Sequence, residues 1–319
     1  MLTPNTITLA HIQAARQRIA GSIMRTPLVR LNVDDAPAEI YLKLENLQPI
    51  GSFKLRGAGS AITQASPAQL AAGVYTASAG NMAQGVAWHA RRLGIACTVI
   101  VPDTAPETKL AAIRRLGGTI IKVPYSTWWE VIVTHHYAGM SGLFVHPVSD
   151  PAVIAGNGSI GLEIMEDMPD VETVLVPYGG GGLCAGITSA IHAIKPTVKV
   201  ISVEPDTAAG FYTSRAAGQP AEAAFTPSFV DGAGSRSALA DMWPLTSQVL
   251  DDACTVSLSQ VAAAIKLMIE RNRVVAEGAG ALATAAALAG RSHGKTVCVV
   301  SGGNIDSAKI SKILANEIP

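Results

Sequence analysis

Short runs of β-branched and apolar residues alternate along the chain with longer, Ala-rich stretches of helical period. The runs Ile40–Leu44, Val74–Ala77, Cys97–Val101, Thr119–Val123, Leu143–Val145, Thr173–Val176, Lys199–Val203 and Thr296–Val300 predict strands. Several are apolar at every position instead of every second one, the pattern of parallel strands covered on both faces. Between them Met82–Leu93, Glu107–Leu116, Ile154–Met168, Leu183–Ile194, Ser257–Arg271 and Gly280–Leu288 predict helices. Strand followed by helix, repeated, predicts a doubly wound α/β fold. No internal repeat or low-complexity linker interrupts it. Thr207–Ser237, rich in Ala, Gly, Pro and Ser, is the least periodic stretch and predicts a long surface excursion.

Composition narrows the classes. The 319 residues can form one large or two small domains, and 24 basic residues balance 24 acidic ones. Charged residues make up 15% of the chain, below the ~25% usual for soluble domains, while 49% of positions are apolar. Those numbers fit a large buried core and exclude a disordered or highly charged scaffold. Without a basic excess, and with aromatics at 5%, nucleic acid is not an expected partner. Cys97, Cys184, Cys254 and Cys298 are far apart and form no CxxC pair, so they predict buried thiols in a reducing compartment, with neither disulfides nor a zinc site. The N-terminal segment carries charges where a signal peptide needs its apolar core, and no run of ~18 apolar residues is present. A cytoplasmic protein without a membrane partner is expected.

Four strand-to-helix junctions are unusual: Gly51-Ser52-Phe53-Lys54, Ser78-Ala79-Gly80-Asn81, Gly179-Gly180-Gly181-Gly182 and Ser301-Gly302-Gly303-Asn304. In open parallel sheets ligands collect at the carboxyl ends of strands, where helix N-termini present free N–H groups. Four bare glycines before a helix suit a phosphate, because the backbone can wrap an anion closely and the helix dipole favours it. The alternative is a flexible turn, which would weaken both flanking elements for nothing. The run matches neither GxGxxG with a following acidic residue nor GxxxxGK[ST], which disfavours dinucleotide or ATP binding. Lys54, between Phe53 and Leu55, reads equally as a solvated lysine at a helix start or as a desolvated amine suited to a Schiff base. A phosphate nest and such a lysine together suggest pyridoxal phosphate.

The chain resembles the fold-type II pyridoxal-phosphate enzymes, in the serine/threonine dehydratase (threonine ammonia-lyase) branch that includes serine racemase. The resemblance covers nearly the whole chain, through Arg25-Thr26-Pro27-Leu28, KLENLQPIGSFKLRGA, SAGNMAQGVA, DTAPETK, DPAVIAGNGSI, VPYGGGGLCAGI, EGAGA and SGGN. It implies two doubly wound α/β domains of the tryptophan synthase β-subunit-like architecture. The large, cofactor-binding domain would comprise 1–65 and 146–319, and a small mobile domain 66–145 would carry the SAGN loop. Lys54 would form the Schiff base and act as the base at Cα, with Phe53 against the pyridine ring. Gly179, Gly180, Gly181, Gly182 and the Leu183 amide would hold the phosphate, and Asn81 the ring's 3-oxygen. Ser78, Ala79 through its backbone, and Asn81 would grip the substrate carboxylate. Ser301 would face the ring nitrogen, besides capping a helix after Gly302. A hydroxyl there leaves the ring a weaker electron sink, which favours β-elimination over transamination.

Departures from the family pattern bear on the substrate. Serine racemases have a second serine at the position of Ala79, so the alanine favours the lyase over racemisation. Met82 replaces the family's usual histidine and places an apolar group near the substrate. Trp128-Trp129-Glu130 replaces a more polar segment; as a core residue a tryptophan needs no further account, and facing the cleft it would suit a bulkier substrate such as phenylserine or 3-hydroxyaspartate. Glu204-Pro205 and the Ala208 carbonyl match a divalent-cation site, but Gly210 stands where a carboxylate is needed, so no metal is expected. Ser235 matches a carboxylate-contacting position. His135-His136 on a predicted helix reads as a solvated pair, and His89 and His192 as helix-surface or boundary residues. Glu277 reads as a helix-N-terminal carboxylate or a polarising group near the cofactor.

The expected activity is elimination of water and ammonia from a 3-hydroxy amino acid, leaving a 2-oxo acid. The alternatives are a racemase of the same fold and a non-catalytic protein that binds pyridoxal phosphate. A nicotinamide-dependent dehydrogenase fails for want of GxGxxG. The chain stops soon after SGGN, without room for the regulatory domain of long threonine dehydratases, and the family analogy implies a homodimer.

Overall fold

The structure, a computed structural model, describes residues 7–319; the first six residues of the expected 1–65 segment lie outside the described residues. Ten strands are present among them: β1 (Leu28–Arg30), β2 (Glu39–Leu44), β3 (Val74–Ala77), β4 (Cys97–Pro102), β5 (Thr119–Val123), β6 (Leu143–Phe144), β7 (Thr173–Pro177), β8 (Lys199–Pro205), β9 (Asp252–Val256) and β10 (Lys295–Val300). The helices are α1 (Leu9–Ile19), α2 (Lys54–Gln64), α3 (Pro67–Leu70), α4 (Asn81–Leu93), α5 (Glu107–Arg115), α6 (Tyr125–Thr134), α7 (Pro151–Asp167), α8 (Gly182–Ile194), α9 (Gly210–Ala217), α10 (Trp243–Val249), α11 (Leu258–Leu267), α12 (Gly278–Leu288) and α13 (Ser307–Leu314).

The strands form two sheets. The larger has the order β1-β2-β10-β7-β8-β9 and is parallel except for β1, which runs antiparallel to β2. The smaller, β5-β4-β3-β6, is wholly parallel. Apolar residues on every position of a strand demand cover on both faces, and the fully buried β7 shows it. One face of the large sheet packs with α11 and α12, the other with α7 and α8. Glycines let α7 and α8 approach: a Cβ at Gly158 would stand 2.8 Å from the Gly186 carbonyl, and one at Gly161 2.7 Å from that of Ile187.

α2 joins the two bodies. Its Ala58, Ala61 and Ile62 complete the small sheet's core with Met82, Val86 and Ala90 of α4, while its opposite flank meets α7 closely at Gly57 and Gly156. A shift of the small sheet therefore acts directly on the helix that begins at Lys54.

Several expectations change. β1 and β9 were not predicted: β1 is only three residues long, and β9 opens on Asp252, so neither carries an apolar run. The stretch Thr207–Ser237 is not a surface excursion, since it contains α9 and buries Phe229, Val230 and Ala233 against the large sheet. Ser257–Arg271 divides into α11 and a π-helical turn, Met268–Asn272, ended by Arg273 at φ 60°. His89 is buried, 1% exposed, and meets the Leu55 carbonyl at 2.9 Å; burial lowers its pKa to about 4. His135 lies beyond the end of α6, at φ 58°. All four cysteines are free and buried.

Candidate active site

The four glycine-rich junctions belong to two neighbouring groups. The GSFK turn pairs with the SGGN turn: Phe53 N–H donates to the Ser301 carbonyl (2.9 Å), Gly303 N–H to the Gly51 carbonyl (2.9 Å), and Ser52 forms an antiparallel bridge with Gly302. Gly51 adopts φ 74°, and a Cβ there would lie 2.7 Å from Asn304 Oδ1, so the turn requires glycine. The SAGN loop reaches the same place, because Asn304 Nδ2 donates to Asn81 Oδ1 (2.8 Å). No helix follows Gly302 directly; α13 starts at Ser307 with Asp306 at its N-cap, so Ser301 caps nothing and its backbone instead fixes Phe53.

Lys54 is the first residue of α2, after Phe53 at the N-cap. Its Nζ donates to the Pro147 carbonyl at 2.7 Å and lies 5.2 Å from the centre of the Phe53 ring. Among the described residues no carboxylate pairs with it. Burial alone lowers the amine from its ordinary value to about 8, because charging an unpaired amine away from water is costly. A substantial neutral fraction near physiological pH is what a nucleophilic amine requires.

The segment after Pro147 links this amine to the four-glycine run. A Cβ at Gly180 would meet the Val148 methyls at 2.6 Å, and one at Gly182 the Val148 carbonyl, also at 2.6 Å. Gly181, at φ 95°, occupies the N-cap of α8. No side chain caps that helix, so its first N–H groups and its dipole are available to an anion. The bare backbone is required by packing, and the uncapped terminus supplies the electrostatics. The amine and the uncapped helix start therefore lie on either side of the Pro147–Val148 segment, an arrangement that fits pyridoxal phosphate.

Ser78 and Ala79 are half-buried at the C-terminal end of β3. Ser78 Oγ accepts from Gly80 N–H at 3.2 Å, and α4 begins at Asn81 with no side-chain cap. Asn81 Nδ2 donates to Glu277 Oε1 at 2.7 Å. With its oxygen facing Asn304, the amide keeps one N–H for a further acceptor. Glu277 sits at the N-cap of α12 but caps no amide with its side chain. Burial raises its pKa to about 7, opposed by the Asn81 hydrogen bond.

Other expected residues are placed differently. Met82 is 1% exposed in the small sheet's core. Trp129 is 43% exposed, whereas Trp128 packs on the cluster of Tyr75, Ile100 and Ile132. None of these supplies a reason for a bulkier substrate, and that expectation loses its basis. Ser235 lies against α9: a Cβ at Gly210 would stand 2.5 Å from its Oγ, a buried atom without a hydrogen-bond partner. The Glu204 oxygens accept from Phe211 N–H (3.1 Å) and Tyr212 N–H (2.7 Å), capping α9. Gly210 has no room there for the missing carboxylate.

One group of residues escaped the sequence reading of roles. Arg56 is fully buried, with Nε 2.7 Å from Glu45 Oε2 and Nη1 2.7 Å from Glu163 Oε1. Lys43 joins Glu163 at 2.7 Å and the Thr26 carbonyl at 2.6 Å, and Thr26 Oγ1 donates to Glu45. Burial opposes charge on both partners, yet Arg56 holds the Glu45 carboxyl below its usual range and the two glutamates raise Arg56. The signal was present: Lys43 and Glu45 interrupt an otherwise apolar run.

A family model described as pyridoxal-phosphate dependent enzyme matches residues 19–303. The chain belongs to that family. It is 39% identical over 315 residues to the catabolic L-threonine dehydratase of Escherichia coli (strain K12), covering 96% of both chains. It is 40% identical to the L-threonine ammonia-lyase of Thermotoga maritima, over 97% of this chain and 78% of that one. Among solved structures, maize serine racemase superposes with a TM-score of 0.88 at 31% identity, with 97% of each chain covered. The cofactor is pyridoxal phosphate and the enzyme is a lyase dependent on it. Among the described residues no helix is long and apolar enough to cross a membrane.

Proposed function

We propose that this lyase removes water and ammonia from a small 3-hydroxy amino acid, serine or threonine, leaving a 2-oxo acid. The observation that carries the reading is the Lys54 amine, held by the Pro147 carbonyl without a carboxylate partner, while the next residue, Val148, packs on the bare, uncapped start of α8. The names of the relatives support threonine as a substrate.

When bound, the cofactor supplies an electrophilic aldehyde and a ring that draws electron density from the substrate's Cα. Gly179, Gly180, Gly181, Gly182 and the Leu183 amide would hold its phosphate. Phe53 would pack on its ring, and the remaining Asn81 N–H would serve its 3-oxygen. The N-terminus of α4, with Ser78 and the Ala79 backbone, binds the substrate carboxylate, since free N–H groups and the helix dipole favour an anion. Lys54, uncharged once the substrate amine has taken its place, would remove the Cα proton and return it to the departing β-hydroxyl, which leaves as water. The released enamine would then take up water to give the 2-oxo acid and ammonia. Ser301 offers a hydroxyl to the ring nitrogen and so does not hold a proton there, which favours elimination.

We take 66–145 as the small mobile domain and 1–65 with 146–319 as the large one. Asn81–Glu277 and the Lys109–Asp231 ion pair (2.8 Å) tie the SAGN loop and α5 to the large sheet's side, so closure excludes water from the reacting centre. A homodimer in the cytoplasm is the assembly and location we propose.

The test is a panel of serine, threonine, 3-hydroxyaspartate and phenylserine as separate stereoisomers, read by 2-oxo acid. Release from L-serine or L-threonine is expected, with little from the larger two. Cα inversion without ammonia would favour the racemase reading instead, which Ala79 opposes for want of an acid on the second face. Bound cofactor with no product from any substrate would leave only the binding reading.

A further inference from the structure

His146 belongs to no expected site, yet it organises the segment between the lysine and the glycine cradle. The segment is fixed upstream by β3, where Val145 N–H donates to the Tyr75 carbonyl and Thr76 Oγ1 to the Val145 carbonyl, both at 2.8 Å. Downstream, Asp150 caps α7 through Ala152 N–H at 2.7 Å. Between these anchors the partner for the backbone is the imidazole. Nδ1 accepts from Ser149 N–H (2.7 Å) and Val148 N–H (3.1 Å), with Ser149 Oγ at 2.9 Å. Two backbone donors on one ring nitrogen require it to be unprotonated, so the proton sits on Nε2, which donates to the Ile132 carbonyl at 3.2 Å.

The surroundings keep the ring in that state. It is 3% exposed, with the His135 ring 4.4 Å away at 32° and Phe144 edge-on at 6.0 Å. Burial first, then the charge of a protonated His135, push its pKa down to about 4; Lys54 acts in the same direction and Asp241 against it. A proton on Nδ1 would set a third N–H against two others and release the turn.

We propose that His146 is a positioning residue for Lys54. Its Nδ1 pins the 146–149 turn so that the Pro147 carbonyl directs the lysine amine and Val148 stays seated on the glycine cradle. One side chain thereby registers the two halves of the cofactor site. The inference rests on the reading of Lys54 as the residue that captures the cofactor's aldehyde.

Two amide variants separate positioning from packing. In His146→Asn the side-chain oxygen can replace Nδ1 as acceptor, whereas in His146→Gln the amide reaches the place of Nε2 and leaves Val148 and Ser149 without theirs. Cofactor-free protein is mixed with pyridoxal phosphate, and covalent capture at residue 54 is followed by absorbance and by borohydride reduction with peptide mass analysis. Thermal midpoints of both variants serve as the folding control. Displacement of a reacting group by about 1 Å can cost about 100-fold, so the Gln variant is expected to capture ~10- to 100-fold more slowly, while Asn stays within ~3-fold of the wild type. Equal rates in both variants, or a loss that follows the thermal midpoints, would overturn the proposal. Failure of the wild-type protein itself to capture the aldehyde at residue 54 would instead remove the functional reading, and this inference with it.

Discussion

Lys54 and Arg56 are cations two residues apart in the first turn of one helix, the first half-buried and the second fully buried. Arg56 faces Glu45 and Glu163 and is held charged; Lys54 faces a single peptide carbonyl and is pushed towards neutrality. Burial is common to both, so the partner decides the outcome. Paired with carboxylates, a buried cation becomes a structural tie. Left with a neutral acceptor, it becomes a reactive amine. The tie serves the amine, because it anchors α2 to β2 and α7 immediately beside the residue whose position matters.

The largest effect expected is from Lys54→Ala, which should abolish covalent capture of the cofactor and turnover, while the protein still folds and retains noncovalent affinity for a phosphate ester. Breaking the other side of the comparison should cost stability instead. Glu163→Ala takes the close carboxylate from buried Lys43 and leaves Arg56 with Glu45 alone, and chemical denaturation should show a loss of about 3–5 kcal/mol. Replacing Lys43, Arg56, Glu45 and Glu163 together with apolar residues of similar volume should cost much less, since no charge of the cluster is then left unpaired.

A pH series sharpens the contrast. The Lys54 pKa is depressed in the folded state, so both states carry the proton below about pH 8 and the cost of burying the charge is fully present there. Between about 8 and 10.5 the folded protein has lost the Lys54 proton that the unfolded chain keeps, so this group by itself adds up to about 3 kcal/mol as pH rises through that window. The four buried cysteine thiols act in the opposite direction, because only the unfolded chain ionises them there. The stability of the wild type relative to Lys54→Met should therefore rise through the window, and Arg56 contributes nothing to it.

Much of this was legible beforehand. β3, β7, β10 and α4 are close to their expected bounds because each is a run of β-branched and apolar residues or a clear helical period. The glycine runs stood out because residues that weaken local structure need another use, and Lys54 because apolar Phe53 and Leu55 flank it, although that stretch alone read equally as a solvated lysine. Lys43 and Glu45 stood out as charges in an apolar run, but their connection to Glu163 was not legible, because it lies far away in sequence and only the packing of α7 on β2 and α2 brings them together. His146 was silent because its role is carried by backbone amides, which leave no residue-type signature.

Smaller effects test the cradle and the second face. Gly180→Ala drives a methyl into Val148 and should weaken cofactor binding by roughly 1–3 kcal/mol, as overpacking does, measured by equilibrium dialysis. Ala79→Ser should leave elimination nearly unchanged and introduce a trace of Cα inversion, seen by chiral chromatography; a fast racemase would show that the second face needs more than the alanine explains.

The most direct test is the titration of Lys54 itself in cofactor-free protein, by the pH dependence of its acylation read from the peptide mass. A midpoint near 8 is predicted. A midpoint at the ordinary lysine value of about 10.5 would show the amine to be solvated, and would contradict the claim that burial without a carboxylate partner makes it reactive.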